Sequence, residues 1–309
     1  MNGRTGIIKG LFILFLLLII GFNLNASAAL AMGLALGLTV GNPFQSVSRK
    51  ATKYLLQASI IGLGFGMDFQ KVMEAGKDGF VFTLLTIAAA MGLGFILGRI
   101  FKVERIISYL LSVGTAICGG SAIAAVSQVL QADENDISVS IGTVFILNAV
   151  ALFIFPIMGH YFQLNQQQFG IWAAIAIHDT SSVVGAAANY GDQALQIATT
   201  VKLARALWII PLVFLTSFAF KSHGSPWAFP YFILFFLLAS VANSYIHLPL
   251  RTTHAIVTAA KTGFSITLFL IGTGISIKAI KKVGVRPMLQ AVVLWIIILS
   301  TSLFFLKNY

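Results

Sequence analysis

Residues 168–190 read QFGIWAAIAIHDTSSVVGAAANY. Apolar arms on either side enclose five consecutive polar residues, His178-Asp179-Thr180-Ser181-Ser182. The arms suit hydrocarbon, whereas the polar run facing lipid would be costly. Non-helical backbone at membrane depth survives only where protein or a water-filled cavity surrounds it. The stretch therefore predicts a membrane helix interrupted at a site or a re-entrant turn.

The chain around it agrees. Its 309 residues are 58% apolar and 9% charged, with a mean hydropathy of +0.93. Soluble domains carry about a quarter charged residues, so a soluble enzyme is excluded. Apolar runs at 7–23, 26–41, 52–68, 79–99, 106–131, 136–159, 168–190, 193–219, 229–246, 257–276 and 288–306 are candidate spans. At ~20 residues per crossing, the predicted fold class is all-α: a polytopic membrane protein of ten or eleven helices. The segments 106–131 and 168–190 are its two discontinuous helices. A single cysteine, Cys118, excludes an intrachain disulfide, and no Cys/His cluster has metal or redox spacing. No cofactor and no metal are expected.

Residues 1–25 read as an N-terminal signal-anchor helix ahead of a transporter domain, 26–309, with repeat-like halves at 26–160 and 168–309. Arg4 and Lys9 precede an apolar stretch, and Ala26-Ser27-Ala28 resembles a cleavage site, so removal of the first segment is the alternative. The net charge of +11 reads as a topology signal and needs no nucleic-acid partner. With the N-terminus inside, thirteen cations (Arg4, Lys9, Arg49, Lys50, Lys53, Arg99, Lys102, Arg105, Lys221, Lys278, Lys281, Lys282, Arg286) are cytoplasmic. Five (Lys71, Lys77, Arg251, Lys261, Lys307) lie outside. The positive-inside rule then predicts a cytoplasmic N-terminus and an outer C-terminus.

Gly64-Phe65-Gly66 with Gly76 matches Gly272-Thr273-Gly274 with Gly284 at a constant offset of 208, and Lys53 matches Lys261. On the eleven-span count the two copies cross in opposite directions, which is the pattern of an inverted repeat. A second pairing links Cys118-Gly119-Gly120-Ser121 and the span ending at Pro156 with His178-Asp179-Thr180-Ser181 and the span ending at Pro211. It requires a gap and relates spans of the same direction, so it does not fit a simple inverted repeat.

Each break frees N–H groups at the start of a half-helix, an end that suits an anion. Gly119 and Gly120 equally permit close helix packing. Lys202 and Arg205 share a helical face with Thr199, roughly 14 and 18 Å into their span and near the middle of a ~30 Å core. Two like charges there line a cavity or are neutralised. Asp179 can neutralise one as a structural ion pair; one cation is then left over, beside the hydroxyls of Ser121, Thr180, Ser181 and Ser182. The predicted substrate site is therefore Gly119, Gly120, Ser121, His178, Asp179, Thr180, Ser181, Ser182, Lys202 and Arg205. His178 carries a coupled proton or is a hydrogen-bonded structural histidine. Asn148 and Asn243 read as helix–helix glue.

At these residues the chain resembles the YeiH-type sulfate exporter family of bacterial inner-membrane proteins, over nearly its whole length. The similar segments are Gly62-Leu63-Gly64-Phe65-Gly66-Met67-Asp68, Cys118-Gly119-Gly120-Ser121-Ala122-Ile123-Ala124-Ala125, His178 to Ala186 and Val201-Lys202-Leu203-Ala204-Arg205. More distantly it resembles the bile-acid/sodium symporter and cation/proton antiporter architecture. That resemblance implies two inverted five-helix repeats crossing at discontinuous helices, and secondary transport by alternating access.

The expected function is transport of a small anion, with sulfate or an organosulfonate as the leading class and a proton or sodium as the possible coupling ion. Partners are the lipid bilayer, the anion and a possible second copy of the chain. An anion channel uses the same residues, and a cation/proton antiporter would titrate Asp179. An intramembrane hydrolase built from Ser181 or Ser182 with His178 and Asp179 is disfavoured, because catalytic triads are assembled from distant positions.

Overall fold

The computed structural model describes residues 2–24, 26–220, 231–246, 249–274 and 283–308. Among these, regular structure is helical only, and the chain divides into two compact units. Each unit draws segments from both halves of the sequence.

The first unit, Met1–Met73 with Tyr231–Lys278, holds α1 (Asn2–Gly21), α2 (Ala26–Thr39), α3 (Gln45–Gly64), α12 (Tyr231–Ile246) and α13 (Leu250–Gly274). Helices in lipid gain no hydrophobic drive from pairing, so close backbone approach through small residues holds them together. Such residues form the seams here. A Cβ on Gly33 of α2 would strike the Phe269 carbonyl of α13, and one on Gly272 would lie 2.8 Å from the Leu30 carbonyl. Gly62 fits against Ala260, and Gly64 lies under the Phe236 carbonyl of α12, where a Cβ would come within 2.6 Å. Gly64 of α3 thus meets α12, while its counterpart 208 residues later, Gly272 of α13, meets α2. Phe12 of α1 packs on Phe269, ring centroids 5.2 Å apart.

The second unit, Glu74–Pro230 with Ala279–Tyr309, holds most of α4 (Phe69–Ile100) and all of α5 (Arg105–Ala116), α6 (Gly120–Leu130) and α7 (Glu134–Tyr161). It continues through α8 (Gln166–Ala176), α9 (Thr180–Tyr190), α10 (Asp192–Ala206), α11 (Ile209–Ala219) and α14 (Val285–Asn308). Gly94 and Gly98, one turn apart on α4, receive Ser112 and Ser108 of α5. Gln290 of α14 reaches into that seam, its Nε2 donating to the Gly94 carbonyl at 3.0 Å and to the Ser108 hydroxyl at 2.8 Å. Phe155 stacks on Trp172 at 4.3 Å and links α7 to α8.

Both predicted interruptions are present, between α5 and α6 and between α8 and α9. The span expected as continuous at 193–219 is also interrupted, at Leu207-Trp208 between α10 and α11. The cause is Pro211, which has no N–H for the Leu207 carbonyl and crowds it; that carbonyl accepts from the Ile210 N–H at 3.2 Å instead. Helices also outrun their apolar cores. The third begins at Gln45 where the apolar run begins at 52, and the fourth at Phe69 where it begins at 79. Helical backbone bonds do not require an apolar sequence beyond the hydrocarbon. The predicted segment at 257–276 runs past the described part of α13, and 275–276 lie outside the described residues.

Candidate functional site

The second unit brings the two interruptions face to face. Gly119 adopts φ +61°, ψ −125°, which an L side chain rarely takes. A Cβ on it would lie 3.5 Å from both Cα and Cβ of Asp179 and 3.2 Å from Val144 of α7. The breaks therefore cross at Gly119 and Asp179.

Each break ends one half-helix, leaving carbonyls without intrahelical donors, and starts another, leaving N–H groups without acceptors. Buried in a membrane protein, those groups need partners. At the end of α5, Val113 and Gly114 carbonyls accept from Ile117 and Gly119 N–H groups at 3.1 and 2.8 Å. The Ala116 carbonyl takes a fork from Arg205, Nε at 2.8 Å and Nη2 at 2.6 Å. At the end of α8, Lys202 Nζ donates to the Ile177 carbonyl at 2.7 Å and to the Ala174 carbonyl at 3.2 Å. Trp295 Nε1 of α14 donates to the Ala176 carbonyl at 2.8 Å. One helix, α10, thus supplies a cation to the carbonyl end of each interrupted helix, the end whose dipole favours positive charge.

Lys202 and Arg205 are both fully buried, at 0% exposure. The sequence places a cation left over from Asp179 beside the hydroxyls of Ser121, Thr180, Ser181 and Ser182; in the structure both cations donate to backbone carbonyls. A carbonyl at a helix end is a strong acceptor already in place, and it takes the donors. The Asp179 ion pair is not formed either: among the described residues Lys202 and Arg205 donate to backbone carbonyls, and the Asp179 carboxylate accepts from Ser181.

The helix starts are treated differently. Asp179 is the N-cap of α9, its carboxylate accepting from the Ser181 N–H at 3.0 Å and from the Ser181 hydroxyl. Its own N–H donates to Asn148 Oδ1 of α7 at 3.2 Å. At α6 the N-cap is Gly119 and no side chain caps the helix. The N–H groups of Gly120 and Ser121, in its first turn, have no intrahelical acceptor.

Of the predicted residues, Ser121 is exposed, Gly120, Asp179 and Thr180 are half-buried, and Gly119, His178, Ser181, Ser182, Lys202 and Arg205 are buried. His178 lies in the break, its ring 6.2 Å from that of Trp295, and among the described residues neither ring nitrogen has a hydrogen-bond partner. Sequence reasoning read Asn148, a carboxamide in the middle of an otherwise apolar run, as helix–helix glue and passed over Trp295, which carried no signal.

Charge bookkeeping at the crossing leaves an excess. Two cations stand against one carboxylate; each half-helix end carries about half a charge, and the two carbonyl ends cancel the two N–H ends. In formal charge, one positive charge is in excess.

Fold and site together define a polytopic helical membrane protein organised around two crossed, interrupted helices. More particularly, the chain belongs to the family described as conserved hypothetical protein 698, whose model matches residues 7–291. Its relatives carry the name UPF0324 membrane protein. The chain is 50% identical to one from Bacteroides thetaiotaomicron over 89% of its own length and 84% of the relative's. A Porphyromonas gingivalis relative is 48% identical over 92% and 87%, and one from Geobacter sulfurreducens is 43% identical over 99% and 98%. No solved structure matches the chain.

Proposed function

We propose that the protein is a secondary transporter that carries a small anion of the sulfate or organosulfonate class across the bacterial inner membrane by alternating access. The observation that carries this reading is the unbalanced positive charge at the crossing of two interrupted helices. A buried charge without a counter-charge is expensive in a membrane, and a transported anion supplies the counter-charge each time the site is occupied. The uncapped start of α6 offers that anion N–H donors beside the half-exposed Gly120 and the exposed Ser121.

A carrier is favoured over a channel by the reciprocal seams of Gly64 and Gly272 at the 208-residue offset, which agree with an inverted repeat and so with a rocking mechanism. The resemblance to YeiH-type exporters points the same way and suggests export. The distribution of cations supports a cytoplasmic N-terminus and an outer C-terminus. A proton or sodium is the proposed coupling ion, and a homo-oligomer the proposed assembly. Hydrolysis is disfavoured because Ser181 donates to Asp179 while neither nitrogen of His178 engages a serine.

One observation favours a second reading, cation/proton exchange. Asp179 is half-exposed at the crossing while both cations are shut away. Thermal unfolding of the purified protein with sulfate, sulfite, taurine, phosphate and carboxylates separates the two, because a bound ligand raises the melting temperature by mass action. A shift of several degrees with a sulfur oxyanion, kept in Asp179→Asn, is expected. No shift with any anion, together with loss of proton-coupled cation flux in Asp179→Asn, would establish the second reading instead.

A further inference from the structure

Among the described residues the crossing holds buried donors without a hydrogen-bond partner, and the most informative is on α7. Asn148 is 3% exposed, and its carboxamide is oriented without ambiguity. The Asp179 N–H can only donate, so the atom that meets it at 3.2 Å is the oxygen. The Nδ2 group therefore points elsewhere, and it has no partner. Arg205 repeats the pattern: Nε and Nη2 share the Ala116 carbonyl, and Nη1 has no partner. As helix–helix glue, Asn148 ties α7 to the start of α9 with one end of its amide; the other end is unused.

A buried donor left unmade costs more than a hydrogen bond ordinarily contributes. Nδ2 and Nη1 can only donate, and so can the free N–H groups at the start of α6. The missing partner is therefore an acceptor. Water is an acceptor too, but it would leave the surplus positive charge standing, whereas an anion removes both deficits together.

We propose that Asn148 is a direct ligand of the transported anion. Its Nδ2, with Arg205 Nη1 and the open start of α6, grips an oxyanion that presents only acceptor atoms, as sulfate or a sulfonate group does. The inference rests on the anion-carrier reading and assigns a residue and a ligand face to the same site. Nδ2 and Nη1 are closed from solvent while Ser121 stands exposed at the start of α6.

Binding of radiolabelled sulfate to the purified full-length protein tests this. Asn148→Ala removes the donor without altering charge and is expected to weaken sulfate binding by about tenfold or more. Unchanged affinity in that variant, with the wild type binding, would overturn the role of Asn148 and leave the carrier reading intact. Absence of sulfate, sulfite and taurine binding in the wild type would overturn both. Should Asn148→Ala fail to fold, the near-isosteric Asn148→Leu, which also adds no charge, is read the same way: lost binding supports the inference, and wild-type affinity overturns it.

Discussion

The two interrupted helices are alike at one end and unlike at the other. Both half-helices that stop at the crossing, α5 and α8, hand their last carbonyls to a cation of α10: Arg205 takes Ala116, and Lys202 takes Ala174 and Ile177. The half-helices that start there diverge. α9 is closed by the Asp179 carboxylate, while α6 begins at a glycine with no cap. A break whose four ends were all satisfied internally would be a rigid joint. Here a side chain meets the backbone at three ends and none caps the fourth, which is why the proposed anion is placed at the start of α6.

The largest effect that would break this comparison is loss of an α10 cation. Arg205→Met leaves the Ala116 carbonyl buried without donors and should lower stability by about 3 kcal/mol, read as a drop in detergent melting temperature, and abolish the sulfate-induced shift. Lys202→Met should behave alike, since Trp295 covers only one of the three carbonyls at the end of α8. If both variants keep the wild-type melting temperature, the cations are not what holds the breaks.

Gly119→Ala comes next. It forces a side chain into a left-handed conformation and against Val144, costing about 2 kcal/mol. The same change at Gly120, whose added Cβ would meet only the Phe145 ring at 3.6 Å, should cost well under half as much. Equal costs at the two glycines would mean that the crossing does not depend on the Gly119 backbone.

Asp179→Asn should cost about 1 kcal/mol, because asparagine also caps a helix start. It also raises the surplus charge at the crossing. The anion reading therefore expects sulfate affinity to be retained or increased in that variant, whereas a cation exchanger would lose its flux. The smallest effect concerns Cys118, the single cysteine, buried inside the α5–α6 break. Maleimide labelling should be slow in the free protein and slower still with saturating sulfate. Rapid labelling that ignores sulfate would separate the break from the ligand.

Much of this was legible in the sequence because polarity in hydrocarbon is rare. The run from His178 to Ser182 announced its break by five polar side chains, and Gly119-Gly120 announced the other more faintly. The membrane class followed from composition. The partners of Lys202 and Arg205 were not legible, because backbone carbonyls have no identity in the sequence; only a fold that stops two helices beside α10 makes them acceptors. The third interruption was written four residues downstream of its position, in Pro211, and is easily missed inside an apolar run. Asn148 was visible as a polar residue, but its unused amide end became apparent only once the Asp179 N–H was seen to occupy the oxygen.

Counterflow in proteoliposomes tests the central claim most directly. Vesicles loaded with unlabelled sulfate and diluted into a trace of labelled sulfate should accumulate label transiently with the wild-type protein and not with Arg205→Met. Equilibration without a transient overshoot would indicate a channel, and no sulfate-dependent uptake at all would contradict an anion carrier built on this crossing.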